Sequence, residues 1–79
     1  MEIQVIKDME KNYEERIRIG SLIAELRKKR GLSTAQLAEK SGIDKSNLIK
    51  IEHGRYSVGL DILAKIAGAL SAEIDLVTK

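Results

Sequence analysis

Three glycines, Gly31, Gly42 and Gly54, cut the middle of this 79-residue chain into two short segments, and each segment carries its own helix signals. Ser33 offers an N-cap hydroxyl to TAQLAEKS, which reads as a two-turn helix with Leu37 and Ala38 turned inward. Gly42 supplies the positive-φ residue that a sharp turn needs. Asp44 is the next N-cap, opening a helix from Lys45 to about His53 that Gly54 ends. Within it Leu48 and Ile51 lie one turn apart, leaving Lys45, Ser46, Ile49 and Lys50 on the opposite side. Whatever surrounds them must hold two short helices joined by a tight glycine turn.

Longer helices flank this pair. Ile19, Leu22, Ile23 and Leu26 fall at i, i+3, i+4 and i+7, marking an amphipathic helix that ends in RKKR and is stopped by Gly31. Leu60, Leu63, Ile66, Ala67 and Leu70 repeat at three- and four-residue steps, with Asp61 favouring the N-terminal dipole of a fourth helix. The apolar content of 43% suffices for one small domain. With two tyrosines and neither Phe nor Trp, the interior must be Leu, Ile, Val and Ala, which suits interlocking helices. The expected class is all-α, four to five compact helices, with residues 17–72 forming the domain.

The ends are less determinate. In residues 1–16, Ile3, Ile6, Met9 or Glu10, Tyr13 and Ile17 approximate a helical stripe, whereas Ile3 and Val5 equally fit a strand. A partly helical extension, with helix 1 starting near Asp8, is the expectation. In residues 73–79, Ile74 and Leu76 alternate with Glu73 and Asp75, as in a short strand or tail.

The inventory of reactive groups argues against catalysis. There is no cysteine, no glycine-rich phosphate loop and one histidine, His53, which reads as a surface residue at a helix end. Glu14 with Glu15, and Glu73 with Asp75, read as solvated charge. No enzyme, metal or small-molecule cofactor is expected, and no apolar run approaches membrane-spanning length, so a cytoplasmic protein without a membrane partner is the expectation. Charge is segregated: residues 27–55 carry +5, while residues 1–26 carry −2 and residues 56–79 carry −1. The middle of the chain is the part that would meet an anion, although a run such as RKKR also serves simply as a solvated helix end.

Taken together, LR at Leu26 and Arg27, the GLS join, LAEKSGI with Ala38 and Gly42 four apart, NLIKIEHG and LDILAKIAGAL resemble the helix-turn-helix domains of the phage-repressor and Cro family, also called the xenobiotic-response-element family. The resemblance covers roughly Ile19 to Leu70 and implies a lambda-repressor-like fold and a transcriptional regulator that binds double-stranded DNA. It implies that helix 3 enters the major groove, with Lys45, Ser46 and Lys50 at base-contacting positions and Ile49 against a thymine methyl. Asn47, at the edge of that face, is assigned to phosphate or adenine. Ser33 and Thr34 before the groove, and Arg55 and Tyr56 after it, take the phosphate positions. Thr34 departs from the family, which commonly has glutamine there, so base readout is expected to differ. Arg27 and Glu52 are implied to form an internal ion pair.

Such domains commonly bind pseudo-palindromic operators as dimers. A homodimer would draw on Ile74 and Leu76 of the tail and on Leu22, Val58 and Ile62; Leu22 is apolar where the family is usually polar, and it equally fits a wider intramolecular core. The tail could pair with its symmetry mate as an antiparallel ribbon, similar to a C-terminal strand of some antitoxins of this family. The leading expectation is a dimeric repressor. An antitoxin that holds both operator and toxin, and an interaction module without DNA binding, are the alternatives.

Overall fold

The computed structural model describes the backbone of residues 2–76 and the side chains of residues 12–76. Four helices follow one another: α1 (Glu2–Lys29), α2 (Thr34–Ser41), α3 (Lys45–Glu52) and α4 (Leu60–Ala69). There is no strand among the described residues, and the fold is all-α. Residues 72–76 are irregular, so the expected C-terminal strand does not form within one chain; a lone strand leaves its backbone groups without partners. Residues 77–79 lie outside the described residues.

Helix α1 starts at Glu2 rather than near Asp8, because nothing between Glu2 and Ile19 is a glycine or proline that would break it. It runs uninterrupted past residues 16 and 17, so the extension and the domain share one helix. The side chains of Ile3, Ile6, Met9 and Glu10 lie outside the described residues.

Each helix ends through the same device. An N–H group donates to the carbonyl five residues before it, from Leu32 to Arg27 at 3.0 Å, Ile43 to Ala38 at 3.1 Å, Arg55 to Lys50 at 2.9 Å and Ala72 to Ala67 at 2.8 Å. That closure needs a left-handed residue just before the donor. Gly31, Gly42 and Gly54 supply it at φ of 70° to 72°, whereas at the end of α4 the position is Ser71, at φ 55°. At its start, α2 carries a full capping box: the Ser33 hydroxyl accepts from the Gln36 N–H at 3.1 Å, and the Ser33 N–H donates to Gln36 Oε1 at 2.8 Å.

The core consists of Ile23, Leu37, Ala38, Ile43, Leu48, Ile51, Ile66 and Leu70. Helix α3 packs against α1 and α2, and α2 also packs against α4. At about 1.5–3 kcal/mol for each fully buried aliphatic side chain, Leu37, Leu48, Ile66 and Leu70 are the main anchors. Two positions of the sequence periodicities face outward. Leu22 is 43% exposed and Leu60 69% exposed, so neither belongs to the core. Val58 and Ile62, by contrast, are half-buried against it.

Candidate nucleic-acid interface

The inner face of α3 is fixed by burial of Leu48 and Ile51, and its rotation about its own axis follows from that. Lys45, Ser46, Ile49 and Lys50 are consequently exposed together, and Asn47 is half-buried at the margin. The structure thus gathers all five residues of the expected base-contacting set on or beside one helical surface.

Four contacts hold α3 and the turn that ends it against α1. The Arg27 guanidinium donates to both Glu52 carboxylate oxygens, at 2.9 and 3.2 Å, and its remaining nitrogen donates to the Leu32 carbonyl at 3.0 Å. The two side chains are only 13% and 8% exposed. Gly20 of α1 faces the last turn of α3 so closely that an added Cβ would lie 2.3 Å from the Ile51 carbonyl oxygen. Gly54 meets Ile17 in the same way, and its carbonyl accepts from Arg16 Nε at 3.3 Å. Sequence reasoning missed Gly20, since a glycine inside an amphipathic helix carries no sign of what approaches it. The exposed Ile17 and Tyr13 continue up α1, where the Arg16 guanidinium lies 5.5 Å from the Tyr13 ring centre.

The positive run at the end of α1 divides in two. Arg27 is neutralised by Glu52, and Arg30 Nε donates to the Leu70 carbonyl at 3.0 Å, tying α1 to the end of α4. Lys28 and Lys29 are exposed. Half of RKKR is therefore structural.

Among the expected phosphate contacts, Ser33 is exposed and Thr34 half-buried at the start of α2, while Arg55 and Tyr56 are exposed after α3. The capping box occupies the N–H groups of Ser33 and Gln36, and helix geometry gives the N–H groups of Thr34 and Ala35 no intrahelical acceptor. His53 stands exposed at the end of α3 with Nδ1 2.8 Å from the Ile49 carbonyl.

Asp44 occupies the N-cap position of α3 without a capping bond to the helix. Its carboxylate accepts the Ser46 hydroxyl instead. That bond, opposed by desolvation and assisted by the nearby N–H groups of Asn47 and Ser46 and the charge of Lys50, holds the Asp44 carboxyl below its ordinary range.

The dimerisation candidates are not all in one place. Leu22 and Ile74 line one groove of about 280 Å³ between α1, α4 and the tail, together with Leu26 and Leu63. Leu76 is 95% exposed beyond it, and Val58 borders a different depression beside Tyr56. No helix among the described residues is long and apolar enough to cross a membrane.

A short helix, a left-handed turn and a second short helix with a polar, exposed outer face define a helix-turn-helix DNA-binding fold. Residues 23–77 match the HTH_3 helix-turn-helix family, and the chain belongs to it. It is 39% identical over 59 residues to the immunity repressor protein of Bacillus phage phi105, a match covering 75% of this chain and 41% of that repressor. It is 43% identical over 53 residues to an HTH-type transcriptional regulator of Methanothermobacter thermautotrophicus, covering 67% of this chain and 77% of that protein. Among solved structures it is similar to the restriction-modification controller protein C.AhdI from Aeromonas hydrophila, at 38% identity and a TM-score of 0.74, covering 77% of this chain and 88% of that one. It is also similar to the clp gene regulator ClgR from C. glutamicum, at 30% identity and a TM-score of 0.73, covering 75% and 76%. Family and fold are those of DNA-binding transcriptional regulators.

Proposed function

We propose that this chain is a sequence-specific repressor that binds a pseudo-palindromic operator as a homodimer, reading the major groove with the outer face of α3. The observation that carries this reading is the joint exposure of Lys45, Ser46, Ile49 and Lys50 on a helix whose inner side is locked by Leu48, Ile51 and the Arg27–Glu52 pair. Lysines at the two ends of that face suit guanine O6 and N7, and Ile49 suits a thymine methyl. Ser33, Thr34, Arg55 and Tyr56 set the register by holding phosphates on either side, and Asn47 reaches phosphate or adenine from the margin. The chain acts in the cytoplasm by binding alone, without catalysis, metal or cofactor.

The second copy is held through the groove bearing Leu22 and Ile74, with Leu76 completing the contact. Two recognition helices must stand about 34 Å apart to meet successive major grooves on one side of the duplex.

Fluorescence anisotropy on the DNA immediately upstream of the gene, against an unrelated duplex of equal length, tests the proposal. A specific repressor prefers the upstream DNA by roughly a thousandfold or more. Equal, weak binding to both duplexes, collapsing as salt rises, would reduce the basic face to a polyanion patch.

A further inference from the structure

Asp44 is out of keeping with a surface that seeks phosphate. It is an exposed carboxylate beside two lysines, one residue before the recognition helix begins. Its hydrogen-bond partner is on the reading face itself: Ser46 donates its hydroxyl hydrogen to Asp44 Oδ2.

A serine hydroxyl has one hydrogen and two lone pairs, so a free serine reads donors and acceptors alike. Once the hydrogen is committed to Asp44, Ser46 presents only lone pairs. An ionised carboxylate is likewise acceptor-only. We infer that Asp44 and Ser46 together form a two-oxygen acceptor that selects, at one position of each half-site, a base carrying a major-groove amino group, adenine or cytosine. Asp44 is the positioning and specificity-determining residue of that pair.

Every base pair places one amino base and one keto base in the major groove, adenine with thymine and cytosine with guanine. The acceptor pair therefore decides which strand bears the amino base. Guanine O6 or thymine O4 at that place would set oxygen against oxygen, with no proton between them. Lys45 and Lys50, which carry only donors, have the opposite preference. The face thus reads as donors at Lys45 and Lys50 with an acceptor pair between and beside them, a pattern that a face of lysines alone would lack. The negative charge also weakens attraction to any phosphate backbone, lowering sequence-independent binding.

This inference rests on the DNA-reading function proposed above, and one experiment separates their failures. The full chain and its Ser46→Ala and Asp44→Asn variants are each put through rounds of selection on a duplex pool with a randomised core, followed by sequencing. Asparagine is as good an N-cap as aspartate, so a merely structural Asp44 leaves base preference unchanged in Asp44→Asn. The inference expects a wild-type motif with one column, altered by Ser46→Ala, in which adenine and cytosine are favoured about tenfold over guanine and thymine. In Asp44→Asn the amide places an N–H₂ donor where a carboxylate oxygen stood. That same column is then expected to relax to within about threefold, while affinity for unrelated duplex rises and the variant remains folded at the pH of the selection.

A wild-type column of guanine or thymine at the Ser46-dependent position overturns the inference. So does an Asp44→Asn motif identical to wild type, or a motif with no Ser46-dependent column. A wild-type selection that enriches nothing removes the repressor reading itself, and the inference with it.

Discussion

Replacing Gly20 with alanine isolates the contact that sets the recognition helix against the rest of the domain. The added Cβ would lie 2.3 Å from the Ile51 carbonyl oxygen, 2.7 Å from that of Glu52 and 2.9 Å from the Glu52 carbonyl carbon, where ordinary contact begins at 3.4 Å. All three neighbours are backbone atoms, so no side chain can swing away. Helices α1 and α3 must separate by about 1 Å, the shortfall between 2.3 and 3.4 Å. That movement also loosens the 2.9 Å Arg27–Glu52 bond and the 3.3 Å bond from Arg16 to Gly54. Overpacking of this kind costs about 1–3 kcal/mol, against which alanine returns about 0.8–1.0 kcal/mol of helix propensity. With the loosened ion pair added, the expected net loss is about 1–2 kcal/mol, which for a domain of this size lowers Tm by about 4–16 °C.

Gly68 supplies the control, because it lies within α4 and an added Cβ there meets nothing within 4 Å. Gly68→Ala should keep the propensity gain and raise Tm by about 4–8 °C. Thermal unfolding followed by far-ultraviolet circular dichroism reads both variants. Opposite signs are the expected result. A Gly20→Ala protein melting at or above wild type would refute the close approach of α1 and α3.

Three further outcomes follow from the same structure. Glu52→Ala strands the Arg27 guanidinium in a site where it is 13% exposed and should cost about 3–5 kcal/mol, seen as a large fall in the urea midpoint; an unchanged midpoint would remove the pair from the stability of the fold. Asp44 has a folded-state pKa below its ordinary 3.8, so its contribution is present above that value and lost as pH falls through the folded pKa; Asp44→Asn should show a shallower acid-side loss of stability than wild type, and parallel pH profiles would contradict this. Removing residues 73–79 takes away Ile74 and Leu76 and should give a monomer by light scattering, whereas a persisting dimer would place the interface elsewhere.

Much of the helix-turn-helix unit was legible because its signals are local. Ser33, Gly42, Asp44 and Gly54 mark helix ends by backbone chemistry alone, and Leu37, Leu48 and Ile51 have to be buried once those ends are set. Leu22 and Leu60 were harder, since periodicity tells which residues share a stripe and not how far a neighbouring helix covers it. Gly20 and Arg30 depend wholly on what the fold brings to them, a carbonyl of α3 and the Leu70 carbonyl at the end of α4. Ser71 stands in a left-handed position where glycine is usual, so the end of α4 carried no glycine signal. The alternation at Ile74 and Leu76 suggested a strand, but a strand needs a second one beside it, and one chain provides none among the described residues.

If the outer face of α3 reads bases while its flanks hold phosphate, Lys50→Ala and Arg55→Ala weaken binding in different ways, which paired titrations resolve. Each is measured by anisotropy on a specific and an unrelated duplex at several salt concentrations. Lys50→Ala should lose about 1–3 kcal/mol on the specific duplex and much less on the unrelated one, whereas Arg55→Ala should weaken both alike and reduce the salt slope by about 1. If Lys50→Ala leaves the ratio of the two affinities unchanged, α3 is not the reading helix.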